Sequence, residues 1–443
     1  MTPLRREIST LLRLSAPVVG AQVGGMLIGV VDVVMLGHYS ARALAAAAVA
    51  NVWVFGTIVL GEGIVRGIEP IVAQAHGARD GERSALALQQ GLVLALATSI
   101  PIALLWLATE PLLLFAGQDP EIARIARTYV WIQIPSIPFH AAWMATRAWL
   151  VGRGLMQAPM WVVLFANVWH AALNWGLIFG NFGLPELGVI GASISTCATR
   201  ILNFLALVAL VRWLGLQHGA WRPWSRAALA WQGLRRPLAL GLPFGLQIGL
   251  EVWAFSGATL LAGWISVDAV ASHQVVLNMA SLSFMVPLGL AIAAGSRIGN
   301  LVGAGDADGV RRAARVAIAL AACVMAGFAL LFVLLRNELP ALYTSERHLV
   351  AACALILPIA AAFQIFDGVQ VVSAGILRGM GRTQAPAVAN ALGYYAFGLP
   401  IGAWLAFGLG MGLPGLWWGL ALGLAAVAGA LAIHALRSGG VRV

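Results

Sequence analysis

The sequence predicts an all-α polytopic membrane protein with twelve transmembrane helices in two parallel six-helix repeats. Three observations carry that prediction. Apolar runs of about 18 or more residues recur along the whole chain, each long enough to cross a ~30 Å hydrocarbon core. The composition is 60% hydrophobic and 10% charged, with a mean hydropathy of +0.88, whereas roughly 25% of residues are charged in a soluble globular domain. The chain also repeats itself. Pro17, Gly37, Ser40, Gly77 and Asp80 return 226 residues later as Pro243, Gly263, Ser266, Gly303 and Asp306, and Gln157-Ala158-Pro159 returns one residue out of register as Gln384-Ala385-Pro386.

The spans are expected near 12–36, 43–70, 85–115, 122–149, 160–180 and 187–211 in the first half. In the second they fall near 238–265, 270–296, 312–335, 348–376, 385–407 and 412–435. The first run is too long for a signal-peptide core and lacks a small-residue cleavage site, so it reads as a retained helix. It carries Pro17 and, deeper, Asp32. The second span places Glu62, Arg66 and Glu69 on one face, where the arginine can neutralise both acids. A salt-bridged structural lock is the favoured reading there, because a paired buried charge is tolerable where an unpaired one is not. The fifth span holds His170 and Asn174, an i, i+4 polar pair that either extends the Asp32 site or packs as an internal hydrogen-bonded pair.

A basic, Trp-containing stretch at 216–231 then links an N-terminal lobe (1–215) to a C-terminal lobe (232–443). The seventh span contains Pro243, Gln247 and Glu251, and the tenth contains Gln364, Asp367 and Gln370. Each half has an even number of spans, so both enter the membrane from the same side. That is the plan of parallel transporter repeats around a central path. Pro17 and Pro243, at matched places in the two halves, are the expected bending points, since proline removes a helix hydrogen bond.

All 27 basic residues are arginine. With a cytoplasmic N-terminus, most of those outside the spans fall on the cytoplasmic side, from Arg5 and Arg6 through Arg222 and Arg226 to Arg437 and Arg442. Only Arg42, Arg124, Arg127, Arg336 and Arg347 fall opposite. That asymmetry obeys the positive-inside rule and predicts cytoplasmic termini. The net charge of +10 is thus a topology signal, and no compact basic segment points to nucleic acid. Cys197, Cys323 and Cys353 lie in or beside separate apolar runs without metal or redox spacing and read as buried free thiols. Of the 17 tryptophans, those at span ends read as interfacial anchors. Trp253 and Phe255, near Glu251, are placed either to pack or to line a cavity where cation–π contact holds an organic cation.

Asp32, Glu251 and Asp367 are the informative residues. Each stands deep in a span without an obvious neighbouring base, at about 2.5–3.5 kcal/mol on insertion scales. Such acids must face protein or water. A carboxyl in that setting carries a proton, and its oxygens equally suit a small hard cation such as sodium. Gln247 lies one turn from Glu251, and Gln364 and Gln370 each lie three residues from Asp367, on the faces of their acids. The repeat aligns Glu251 with Gly25, Asp32 with Ala258 and Asp367 with His140. None of the acids is duplicated, so they read as chemistry added to the scaffold. The alternative is a hydrogen-bonded structural acid that never titrates.

The residues resemble the multidrug and toxic compound extrusion (MATE) transporters, and within them the NorM-like branch. The stretches that carry the resemblance are DVVMLGHYS, ASHQVVLNMASLSFMVPLGLAIAAGSRIGNLVGAGD, GILRGMGRTQAP and NALGYYAFGLPIGAWLAFGLGMGLPGLWWGL, spread over nearly the whole chain. The resemblance implies a MATE-like two-lobed fold and export of drugs or metabolites, often cationic and amphipathic, against inward proton or sodium flow. It implies that Glu251 and Asp367 are the cation-coupling acids of the C-terminal lobe, able to hold a proton or a sodium ion, and that Asp32 is the acid of the first span. His170 departs from the asparagine expected at its place, and Glu62 and Arg66 are unusual for the second span.

The expected mechanism is alternating access, with ion and substrate competing for Glu251 and Asp367 in a monomer embedded in lipid and needing no cofactor. A lipid-linked oligosaccharide flippase of the same architecture is the alternative. It would present unpaired bases to an anionic headgroup, whereas the deep unpaired charges read from this sequence are acids. An enzyme would need a nucleophile with its base or a metal cluster, and no such motif is present. A channel would need a selectivity filter or an oligomeric pore ring.

Overall fold

A computed structural model describes residues 3–438, and these residues form helices and turns with no strand among them. In chain order the α-helices are α1 (Pro3–Tyr39), α2 (Ala41–Arg66), α3 (Glu69–Gly77), α4 (Gly81–Leu107), α5 (Thr109–Phe115), α6 (Pro120–Gln133), α7 (Ile137–Gly152), α8 (Gln157–Phe179) and α9 (Val189–Trp213). There follow α10 (Trp231–Gly263), α11 (Val267–Gly303), α12 (Ala307–Leu334), α13 (Glu338–Ala341), α14 (Arg347–Gly379), α15 (Gln384–Asn390), α16 (Leu399–Ala403) and α17 (Leu413–Ser438).

The residues that betray the repeat are helix punctuation. Ser40 and Ser266 are extended N-caps whose hydroxyls accept from the amides of Ala43 and Ala269. Asp80 and Asp306 likewise cap α4 and α12 through the amides of Arg83 and Gly309, at 2.9 and 2.7 Å. Each cap satisfies an amide that the first turn leaves without an intrahelical partner. Gly77 and Gly303 end their helices, and Gly154 and Gly381 turn the chain at φ +75° and +79° before α8 and α15.

Among the described residues, eleven helical stretches are long and apolar enough to cross a bilayer. The fourth expected span, 122–149, is the exception. Here α6 and α7 are separated by a 3₁₀ turn at Ile134–Ser136. Pro135 and Pro138 deny the backbone the amides that one continuous helix would need, and neither piece reaches spanning length alone. The eleventh span, Gln384–Gly408, contains π-helical turns at Ala391–Gly398 and Trp404–Gly408.

The chain folds as two units. Unit 2 is Gly20–Gly245; unit 1 is Met1–Val19 with Leu246–Val443. The dividing points lie 226 residues apart, two residues after Pro17 and Pro243, inside α1 and α10, which remain unbroken helices. In unit 1 the start of α1 is clamped by a bidentate pair: Arg297 Nε and Nη2 donate to Glu7 Oε1 and Oε2 at 2.8 and 3.0 Å. The unit 1 core is built on Trp417, Phe363, Tyr394 and Leu357 at one end, and on Leu11, Ile298, Val372 and Leu377 at the other. Small residues bring its helices close. A Cβ on Gly375 or Gly379 would meet a backbone carbonyl oxygen of α11 at 2.3 Å, so α14, which carries Asp367, lies backbone to backbone against α11. Such contact is how helices associate where lipid supplies no hydrophobic drive. The unit 2 core gathers Ile68, Trp149 and Leu150 in one cluster and Trp106, Tyr129 and Ile178 in another.

Trp213, Trp231 and Trp264 at helix ends are exposed, whereas Trp106, Trp149 and Trp417 are fully buried core residues. Of the three cysteines only Cys353 is buried; Cys197 is half-buried and Cys323 exposed on α12, which corrects the expectation of three buried thiols. A cysteine in an apolar span is equally at home on an outward face, because the bilayer solvates it there.

Candidate functional site

In unit 1 the acids of the seventh and tenth expected spans come together. Glu251 on α10 and Asp367 on α14 lie within electrostatic reach of each other, with Tyr394 of the π-helical turn buried beside both. A chain of amides links α14 to α10. Gln370 Nε2 donates to Asn390 Oδ1 at 3.0 Å, and Asn390 Nδ2 donates to Glu251 Oε2 at 3.2 Å. Tyr395 secures the next stretch by donating its hydroxyl to the Leu250 carbonyl at 3.0 Å. The π-helical geometry after Asn390 adds a residue to the turn and re-aims the side chains that follow, as such turns commonly do beside functional groups.

Several buried polar atoms around this pair have no hydrogen-bond partner in the protein: Asp367 Oδ1, Gln247 Oε1, Gln370 Oε1 and Tyr394 Oη. Buried polar atoms are otherwise nearly always satisfied. Three of these four are obligate acceptors when the acid is ionised, so the cluster offers oxygen to a proton or a hard cation. Among the described residues no group of three or more His, Cys, Asp or Glu gathers to hold a metal, so any ion here would be held by two carboxyls with amide and phenol oxygens. Gln364 turns away, accepting from Ser283 of α11. Phe255 packs edge-to-face on Phe363 and Tyr394, at 6.0 and 5.9 Å between centroids. It is therefore a packing residue that braces Tyr394. Trp253 is 42% exposed.

In unit 2 Asp32 does have a neighbouring base, contrary to the sequence reading. Its Oδ1 meets His170 Nε2 at 2.9 Å and accepts from Asn174 Nδ2 at 2.6 Å. The second ring nitrogen, His170 Nδ1, faces the Thr199 hydroxyl at 3.1 Å. With Nε2–H donated to the carboxylate, Nδ1 accepts from Thr199. With the ring protonated, both nitrogens donate, to Asp32 and to Thr199. Asp32, His170 and Asn174 are all buried, and Asn174 Oδ1 is left without a partner.

The second-span cluster differs from the expected three-residue lock. Arg66 pairs with Glu69 at 3.2 Å, while Glu62 meets His140 of α7 at 2.8 Å. Bases inside the spans also went unread in the sequence. Arg147 donates to Gln22, and Arg200 lies 5.9 Å from the Trp106 ring centroid with its Nη1 unpartnered. Both could have been found by the rule applied to the acids, that an ionisable residue within an apolar run needs an explanation. Asn390 carried the same signal more faintly.

The MatE family model matches residues 17–176 and again 243–404, two stretches that start on the repeat-related prolines. The chain is 35% identical over 440 residues to a probable multidrug resistance protein NorM of Bradyrhizobium diazoefficiens, covering 97% of this chain and 93% of that protein. It is 31% identical over 443 residues to multidrug and toxin extrusion protein 2 of Mus musculus, covering 99% of this chain and 76% of the mouse protein. The crystal structure of the eukaryotic MATE transporter AtDTX14 superposes with a TM-score of 0.89 at 25% identity, covering 99% of each chain. That of the Vibrio cholerae MATE transporter VcmN in the bent form gives 0.86 at 21% identity, again over 99% of each chain.

Proposed function

The chain belongs to the MatE family of multidrug-extrusion membrane transporters, and from that premise we propose that it is a cation-coupled antiporter exporting organic, cationic amphipathic substrates by alternating access. The observation that supports this reading is the pair of acids, half-buried Glu251 and buried Asp367, surrounded by unsatisfied oxygens. A proton or sodium ion entering the pair neutralises it and supplies the missing partners. A cationic substrate competes for the same charge. Coupling follows when each ligand favours a different conformation, since a ligand shifts an equilibrium only by its differential affinity.

Asp32 with His170 and Asn174 forms the corresponding polar site of unit 2. The helices α1 and α10, each passing from one unit to the other just beyond Pro17 or Pro243, are the bending elements. The arginine distribution and the bacterial relatives support an inner-membrane location with cytoplasmic termini, and the protein is proposed to act as a monomer. The flippase alternative is not favoured by the relatives, which are named for multidrug resistance or toxin extrusion.

The test is efflux of a fluorescent cation such as ethidium from proteoliposomes under a pH gradient alone and then a sodium gradient alone. The expected result is efflux driven by one gradient and lost in Asp367→Asn, which keeps the shape but cannot ionise. Wild-type efflux in that variant would overturn the assignment.

A further inference from the structure

Unit 2 contains a second carboxyl–imidazole pair that the mechanism above leaves unused. His140 Nε2 lies 2.8 Å from Glu62 Oε1. Glu62 stands near the middle of the 41–77 span, and His140 lies in the first turn of α7, just beyond the 3₁₀ turn. The charged groups around the Glu62–His140 pair set its surroundings. Glu62 meets the ring directly; Arg66 of α2, Arg200 of α9 and Arg147, two turns along α7 itself, act on Glu62, and Glu69 of α3 acts on Arg147. The helix α4, packed along α7, has its charged residues Glu82 and Arg83 confined to its own first turn. Arg66 is engaged by Glu69 and lies 4.8 Å over the Phe244 ring, and Arg147 donates to Gln22 and lies over Trp143. The hydrogen-bond partner of Glu62 is therefore a ring that can change its charge, not a fixed guanidinium.

Two further observations turn this pair from a lock into a site. The side chains keep 22% and 19% of their surface open, against 7% and 0% for Asp32 and His170, so this pair is the less enclosed of the two. His140 also occupies the place in the first repeat that Asp367 occupies in the second. The helices agree with that alignment, since α7 ends at Gly152 and α14 at Gly379, both followed two residues later by a positive-φ glycine. Each unit thus presents an ionisable group at the matched position.

We propose that Glu62 and His140 form a second proton-binding site, in unit 2, whose occupancy the transport cycle uses in addition to Glu251 and Asp367. With Glu62 ionised, Nε2–H donates to Oε1 and the arriving proton sits on Nδ1. The pair then passes from net negative to neutral, and Trp143, stacked 6.4 Å from the ring, keeps its orientation. The use of this proton in transport rests on the antiport reading. The binding of the proton does not, so the two are measured separately.

The first measurement is ¹⁵N-histidine NMR of the full chain in nanodiscs between about pH 5 and 8, the window in which imidazole ordinarily titrates. The His140 signal is identified by its loss in His140→Gln. The proposal expects the ring to change protonation in that window and its midpoint to move in Glu62→Gln. A ring fixed in one state, or a midpoint indifferent to Glu62, would overturn it. The second is the pH profile of efflux in proteoliposomes, with His140→Asn as a further variant. The expected result is a profile flattened about threefold across the same window in both His140 variants. An unchanged profile in a protein whose His140 titrates would overturn the link to transport. Absence of gradient-driven efflux in the wild type would sink the antiport reading while leaving the proton site standing on the NMR result.

Discussion

Asp32 of unit 2 is held by an imidazole at 2.9 Å and an amide at 2.6 Å, with the imidazole anchored in turn by Thr199. In unit 1 the donor to Glu251 is the amide of Asn390 at 3.2 Å, and Asp367 keeps one oxygen unpartnered. Two copies of one six-helix plan therefore treat an intramembrane carboxyl in opposite ways. In one copy the protein meets one oxygen of the acid, Oδ1, with two groups of its own. In the other it leaves the shell open. A closed shell contributes to stability and resists exchange; an open one is costly until a ligand arrives, which is what a transporter needs of a binding site.

The contrast predicts that damage to the closed site is felt in folding and damage to the open site in transport. The largest effect is expected for His170→Leu. It leaves a buried carboxyl with Asn174 alone and strands the Thr199 hydroxyl, a loss of about 3 kcal/mol, read as a fall in thermal stability in detergent. Glu251→Gln should leave thermal stability near wild type and lower gradient-driven efflux about a hundredfold, some 2.7 kcal/mol in transport. The reverse pattern, an unstable Glu251→Gln with a robust His170→Leu, would break the comparison. Next in size is Asn390→Ala, which cuts the amide chain between Gln370 and Glu251. One hydrogen bond to a charged group corresponds to about 1.5 kcal/mol, or roughly tenfold in efflux, with thermal stability little changed.

The sequence made the scaffold legible because its signals are local. Apolar runs, capping residues and turn glycines act within a few positions, and the repeat doubled each of them, so Ser40 with Ser266 and Asp80 with Asp306 could be paired before their role as caps was visible. The break at Ile134–Ser136 was written just as locally, in Pro135 and Pro138, but run length alone hid it. The partners of the acids were harder. His170 lies 138 residues from Asp32, and His140 lies 78 from Glu62, and neither pairing leaves a trace in periodicity. For Arg66 the local rule misled, since i, i+3 spacing correctly gave Glu69 while the i−4 neighbour Glu62 turned to another helix. Sequence spacing says which side chains share a face, and only packing decides which of them meet.

The smallest effect sharpens the contrast at the aromatic residues. Trp253 was placed by spacing beside Glu251, yet it is 42% exposed, and the brace on Tyr394 comes from Phe255. In unit 2 Trp143 is buried, with the His140 ring stacked at 6.4 Å and the Arg147 guanidinium 5.4 Å from its ring. Replacing a partly exposed tryptophan with leucine removes little packing. Trp253→Leu should therefore leave ethidium efflux within about twofold of wild type. Trp143→Leu removes a buried ring and its cation–π contact, and should cost about 1–3 kcal/mol in thermal stability. If Trp253→Leu instead raised the substrate KM many-fold at unchanged maximal rate, Trp253 would be a substrate contact, and the open site of unit 1 would extend beyond its carboxyls to an aromatic wall.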